Sequence, residues 1–367
     1  MRAISINHVS VHADDLEETA AHRERVTTCA GRPPNPGGRL AEPTSTNGSK
    51  RCLRKDTVML SPKPRVLVLG SSGLTGKAIA AKLDDVSDRV EVVRASRNPE
   101  TIGQWRNQGR SAVHLDLDDA RTFPTALKGI DRLFLMTGYT VAMTHQTKTI
   151  TDAAADAGVG HIVHLGIFGN GRSTDPHFAW HELVERYIEG SGVSWTHLHP
   201  HMFMENLLSV FTLRDGRLPW PAGDKPTGWI AGEDLTAVAA KVLTEGADPH
   251  AGTGYWMSTD VLNGAQVAGI LSEALGRTVP ADLMTPDDML QAVSKGLVST
   301  PSFMEAHYAL STFEWLQQTY DGRMDYSAVT TTTVEDLLGR PPMHLAEWAV
   351  RHRDALLAAE TAPTHIG

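Results

Sequence analysis

Cysteine is nearly absent: Cys29 and Cys52 are the two in 367 residues, and both fall in one irregular N-terminal stretch. That excludes a disulfide framework and fits a reducing, cytoplasmic setting. Basic charge is also short, with 34 Lys and Arg against 43 Asp and Glu and a formal net charge of −9. A general nucleic-acid binder carries the opposite balance. No apolar run approaches the roughly 20 residues that a membrane span needs. The opening, with Asp14, Asp15, Glu17 and Glu18, lacks the apolar core of a secretory signal, so none is expected. What remains is ordinary: 41% hydrophobic and 21% charged residues, enough for one large domain or two.

Residues 1–63 read as an irregular, disordered extension. Clusters such as Gly31-Arg32-Pro33-Pro34-Asn35-Pro36-Gly37-Gly38 show no sustained period. The first residues, Ile4 to Val11, alternate like a strand. They resemble the opening of a vicinal-oxygen-chelate domain, in which a histidine like His8 binds metal, but nothing downstream supplies the rest of one. From Pro64 onward, strand-like runs at Val66–Leu69, Val90–Arg94, Ala112–Leu115, Arg132–Met136, His161–Leu165 and Ser194–Leu198 alternate with helical patterns, clearest at Val141–Ala157 and Phe178–Glu189. That beat predicts an α/β fold, a Rossmann-type doubly wound parallel sheet. After about Leu243 the pattern turns mostly helical, with candidates at Gln266–Leu275, Asp287–Val298, Phe303–Tyr320, Thr333–Leu338 and Leu345–Leu357. The expected division is a nucleotide-binding domain over 64–245 and a C-terminal, mostly helical, substrate-covering portion over 246–360.

One stretch carries most of the chemistry. The first strand runs into Gly70-Ser71-Ser72-Gly73-Leu74-Thr75-Gly76, which opens a helix. Gly70 allows a tight turn, Gly73 lets backbone approach a pyrophosphate, and Gly76 lets helix and strand pack closely. The helix N-terminus adds free N–H groups and a positive dipole end. At the end of the second strand, where an NAD-binding chain places a carboxylate for the ribose 2′-hydroxyl, stands Arg97. A guanidinium suits a 2′-phosphate, so the expected cofactor is NADP(H). Asp116 is placed to accept from the adenine amino group, with Leu117 packed on the ring. Asp116 or Asp118 alternatively caps the following helix. Thr137 and Gly138, small residues after the fourth strand, leave room for the cofactor along the sheet edge.

With these residues in order, the chain from about Pro64 onward resembles the NmrA-like branch of the atypical short-chain dehydrogenases. Further matches are Ser191-Gly192-Val193-Ser194-Trp195-Thr196, Pro200-His201-Met202-Phe203-Met204-Glu205-Asn206, Gly232-Glu233-Asp234-Leu235, Leu275-Gly276-Arg277 and Gly339-Arg340-Pro341-Pro342. That branch contains NADP-binding redox sensors, quinone reductases, triphenylmethane reductase and ergot-alkaloid dehydrogenases. The resemblance implies a small-molecule substrate and leaves a homodimer open, while the charge balance and the lack of long apolar runs leave neither nucleic acid nor membrane as an expected partner. It also implies that Phe203 and Asn206 line the substrate cleft, with plain core packing as the alternative for Phe203; His199 and His201 are expected to line the cofactor or substrate cleft.

The usual acid of a short-chain dehydrogenase is missing. None of the six tyrosines has a lysine four residues later, and Leu165-Gly166-Ile167-Phe168 lacks the expected serine. Relatives with a lysine in a His-Phe-x-x-Lys pattern are matched by His177-Phe178-Ala179-Trp180-His181, which puts His181 at the lysine position as the single candidate acid. Two readings follow. In one, a reductase passes hydride from NADPH to a conjugated or cationic organic acceptor, such as a quinone, enone, iminium ion or dye, that needs little acid help. In the other, the protein binds NADP(H) without turnover and signals to a protein partner. His197, His199 and His201 alternate in a way that also suggests metal, but Pro200 breaks the strand and no carboxylate or cysteine partner stands near, so no metal site is expected. Asp234 is expected to cap a helix over Leu235–Thr244. Trp220 either stacks in the cleft or packs its loop.

Overall fold

The central strands of the sheet are short, mostly apolar runs buried on both faces, the signature of a parallel sheet covered by helices on each side. In the computed structural model, which describes residues 62–172, 174–295 and 304–361, Val66 and Val68 enter one core and Leu67 the other. Residues 1–61, with the strand-like opening at His8 and both cysteines, lie outside the described residues. The strands are β1 (Arg65–Val68), β2 (Glu91–Ser96), β3 (Ala112–His114), β4 (Arg132–Leu135), β5 (His161–Leu165) and β6 (Ser194–Pro200). They continue with β7 (Met202–Phe203), β8 (Leu218–Trp220), β9 (Thr227–Ile230), β10 (Thr253–Met257), β11 (Asp260–Leu262) and β12 (Ala281–Leu283). The helices are α1 (Leu74–Asp84), α2 (Pro99–Asn107), α3 (Phe123–Leu127), α4 (Met143–Asp156), α5 (Pro176–Glu189) and α6 (Gly232–Glu245). After these come α7 (Gly264–Leu275), α8 (Pro286–Ser294), α9 (Ala306–Tyr320), α10 (Thr333–Leu338), α11 (Leu345–Arg351) and α12 (Arg353–Thr361).

Seven strands form a parallel sheet in the order β10-β6-β5-β4-β1-β2-β3. The order reverses between β1 and β4, and that switch point is where a doubly wound sheet opens a crevice beyond its strand ends. Helices α4 and α5 cover one face through Ile150, Val184 and Ile188, while α1 and α6 cover the other through Ile79, Leu83, Leu235 and Val238. A third core joins Trp220, Trp229 and Trp348 beneath two small sheets, β11-β9-β7 and β12-β8. Trp220 is therefore a core residue, stacked on Trp229 at 5.6 Å, and does not face a cleft.

Several expectations change. The seventh strand, β10, comes from beyond residue 245, so that boundary does not separate the sheet from what covers it. The C-terminal region contributes β10, β11 and β12 as well as helices. The pattern at Leu345–Leu357 divides into α11 and α12 at His352, and β6 runs through Leu198 to end at Pro200. Asp234 does not cap α6. That helix starts at Gly232, whose N–H is taken by Glu205 at 3.1 and 3.0 Å. Asp234 instead turns inward, fully buried, accepting from Met343 N at 2.7 Å and pairing with Arg340 at 2.7 Å. No helix among the described residues is long and apolar enough to cross a membrane.

Candidate dinucleotide groove and active site

The glycine turn is held by its own backbone. Gly70 adopts φ +65°, the left-handed region that glycine enters without strain, and its carbonyl accepts from Gly73 N at 2.9 Å. A Cβ on Gly76 would lie 2.4 Å from Gly70 O and 2.6 Å from Leu69 O, so β1 and α1 touch with no room for a side chain. A Cβ on Gly73 would have Gly70 O at 3.4 Å as its nearest neighbour, ordinary contact. Protein packing thus does not demand glycine there, whereas a ligand approaching the backbone would. Helix α1 has no side-chain cap, so the first-turn N–H groups stay available. Ser71 faces inward, donating to Val68 O at 2.7 Å, while Ser72 and Leu74 face out, the latter 86% exposed, and Thr75 is half-buried. These features fit a pyrophosphate cradle.

Next along the sheet edge, Asn98 caps α2 by accepting from Glu100 N at 2.8 Å, and its own N–H bonds Ser96 Oγ at 3.1 Å. That turn projects Arg97 into solvent with no partner among the described residues. Arg94, by contrast, is buried and paired with Asp84. Arg97 is thus the free guanidinium at the β2 end. Asp116 accepts from Asp118 N through one oxygen at 3.1 Å, leaving its second without a partner among the described residues. The short helix that follows is capped by Asp119, and Asp118 instead accepts from Gln146. Leu117 is half-buried against the first core, Thr137 is half-buried, and Gly138 has open space where a Cβ would be. Glu305, at the start of α9, clamps the loop after β4 by accepting from Thr140 Oγ1 at 2.6 Å and Val141 N at 2.9 Å.

On α5, His177 and His181 stand four residues apart, with rings 5.4 Å from each other, and Tyr308 of α9 packs on His177 at 4.9 Å. Where the serine is missing, a Cβ on Gly166 would meet Glu185 Oε1 at 2.4 Å and the His199 ring at 3.0 Å. Glu185 accepts from His199 Nε2 at 3.0 Å. Burial, reinforced by His177 and His199, pushes the His181 pKa well below the ordinary range, and burial takes His177 to about 4. Both imidazoles are therefore neutral at neutral pH. The reason for expecting His181 to act as an imidazolium acid, titration near neutrality, fails on desolvation.

The expected substrate residues do not share one wall. His199 lies on the α5 face of β6, whereas His201 follows the strand end, its ring against Phe168 at 4.9 Å and its Nδ1 accepting from Met202 N at 2.9 Å. Phe203 packs on the second core, and the Asn206 side chain makes no hydrogen bond among the described residues. No three His, Cys, Asp or Glu side chains among the described residues converge as metal ligands. His177 enters the sequence only as part of the pattern around His181, with no role of its own, and nothing local marks Glu185, Glu305 or Tyr308.

These buried histidines make stability acid-sensitive. Burial, with Arg132 and His250 nearby, lowers His161 to about 4, and burial, with His199 and Arg186 nearby, lowers His197 to about 3. Because the folded pKa lies below the unfolded 6.5, the unfolded chain takes up protons first. The stabilising neutrality is complete above pH 6.5 and is lost as pH falls toward the folded values. Denaturant titrations at neutral pH and near pH 5.5 should differ by roughly 1 kcal/mol for each of these two histidines. An unchanged midpoint would contradict their burial as neutral rings.

The NmrA-like family model matches residues 62–338. The NAD(P)H azoreductase of Xenophilus azovorans is 30% identical over 301 residues, spanning 80% of this chain and 100% of that protein. The crystal structure of Citrobacter sp. triphenylmethane reductase complexed with NADP(H) aligns at TM-score 0.66 and 21% identity, covering 79% of this chain and 99% of that one. Nmra, a negative transcriptional regulator in complex with NAD, aligns at TM-score 0.65 and 16% identity over 82% of this chain and 98% of its own. At such identities the two structures establish the fold.

Proposed function

This chain belongs to the NmrA-like family, and on that premise we propose that it is an NAD(P)H-dependent oxidoreductase delivering hydride from NADPH to a small conjugated or cationic organic acceptor. The observation that carries the choice of acceptor is the burial of His181, the residue the resemblance puts at the lysine position, as a neutral ring beside a neutral His177. A carbonyl turning into an alkoxide needs a proton donor, whereas a quinone, enone, iminium ion or cationic dye spreads or cancels the incoming charge itself. The residues then bind and orient. Gly70, Gly73, Gly76 and the α1 N-terminus hold the pyrophosphate, Arg97 the 2′-phosphate, and Asp116 with Leu117 the adenine. Thr137 and Gly138 leave the sheet edge open, and Glu305 fixes the loop they start. Bound in this groove, the dinucleotide supplies the hydride. Neutral imidazoles at His177 and His181 offer hydrogen bonds without releasing a proton.

The test is NADPH oxidation with a panel of quinones, enones, azo and triphenylmethane dyes, beside simple ketones as controls. Turnover is expected with members of the first group and not with the ketones. In parallel, Arg97→Ala should weaken NADPH binding about ten- to a hundredfold while leaving NADH nearly unchanged. Equal weakening of both would remove the phosphate role. Tight NADPH binding with no acceptor turned over would leave the second reading, a redox sensor acting through a protein partner, which rests on likeness of fold alone.

A further inference from the structure

A cleft of about 210 Å³ lies between α5 and the β6–β10 edge of the sheet. Glu182, Glu185 and Glu189 of α5 form one wall. Trp195, His197 and His199 of β6 and Trp256 of β10 form the other. Arg186 also lines it but is tied to Glu189 at 2.7 Å. His181 of α5 reaches it as well, whereas none of Gly70, Gly73, Gly76, Arg97 or Asp116 does.

The walls are built and their polar groups are incompletely used. Glu182 makes no hydrogen bond or close ion pair among the described residues. His197, 2% exposed, shares Nδ1 with His164 Nδ1 at 3.3 Å. Its Nε2 has no hydrogen-bond partner and faces Glu189 Oε1 across 3.8 Å. His199, 5% exposed, donates Nε2–H to the Glu185 carboxylate, which leaves Nδ1 as an acceptor without a donor. The indole of Trp256 covers the His199 ring at 4.5 Å and is anchored to Gly169 O at 3.2 Å. A Cβ at Gly254 would strike that indole at 2.9 Å, so glycine keeps the wall in place.

Carboxylates in excess beside indole faces suit one chemistry: a flat organic cation carrying N–H donors. An organic anion would meet the carboxylates, and a bare metal ion would lack three converging ligands among the described residues. We propose that this cleft, which shares His181, Glu185 and His199 with the candidate active site but none of the dinucleotide-groove residues, is a binding site for a small aromatic or planar protonated amine or amidine. It does not depend on the hydride reading, because binding is measured without turnover.

The probe is benzamidinium, titrated calorimetrically into the full chain and compared with neutral benzamide and anionic benzoate. Benzamidinium should bind saturably, with the other two at least about tenfold weaker. Glu182→Gln changes a half-exposed side chain and should leave the fold intact, as thermal melting will show. It should weaken benzamidinium about three- to tenfold without altering benzamide. Trp256→Leu should weaken it by a similar factor and remove any fluorescence change on binding. Saturating NADPH should leave the affinity unchanged. Equal binding of benzamide or benzoate, no effect of Glu182→Gln, or displacement by NADPH would each overturn the proposal.

Discussion

Gly76→Ala is expected to raise the Kd for NADPH by about a hundredfold or more and to lower stability by about 1–3 kcal/mol. The added methyl would sit 2.4 Å from Gly70 O and 2.6 Å from Leu69 O, both backbone atoms that move only with the strand and turn themselves. Alanine raises intrinsic helix propensity by about 1 kcal/mol, which offsets only part of the overpacking. Relief comes from α1 moving away from β1, and that displaces the N–H groups from the place they offer a pyrophosphate. Gly73→Ala is the informative partner. Its methyl finds 3.4 Å of space, so stability should change by less than about 0.5 kcal/mol while NADPH binding falls steeply. Titration of NADPH and thermal melting of both variants separate the two glycines. Wild-type affinity in Gly76→Ala would refute the close-packing account.

Asp234→Ala should cost about 2–4 kcal/mol, the other large effect. The carboxylate is fully buried, and its removal strands the Met343 N–H inside the protein and leaves Arg340 without its counter-charge. Arg340 is itself 43% exposed, so water recovers part of that loss and the upper end of the range is not reached through the ion pair alone. Arg340→Ala should accordingly cost less than Asp234→Ala. Denaturant unfolding of both variants tests the order, and equal losses would shift the weight from the backbone hydrogen bond to the ion pair.

Asp234 also shows what a sequence can and cannot disclose. A carboxylate just before an apolar periodic run reads as a cap, yet α6 takes its capping carboxylate from Glu205, 27 residues upstream. The glycine turn and the first six strands were legible because each depends on neighbours a few residues away. The turn needs backbone freedom, and each buried strand needs a short aliphatic run. The seventh strand was not legible. Thr253–Met257 alternates weakly, and its pairing with β6 depends on residues more than fifty positions away. The same limit hid Tyr308 against His177 and Glu305 against Thr140, contacts that join α9 to loops far upstream. At His181 the residue was identifiable but its protonation was not, since desolvation is a property of the assembled core.

The late origin of β10 has a consequence for how the chain comes off the ribosome. Until residue 257 has emerged, β6 is an open edge with a row of unpaired backbone groups, the template on which chains cross-pair. At roughly 5–20 residues per second, the stretch from Pro200 to Met257 leaves that edge bare for several seconds, long compared with collapse of the preceding units. Pro200, which has no N–H to give, stands at the far end of this edge. Nascent chains stalled between these two residues are therefore the ones that should seek chaperones or one another.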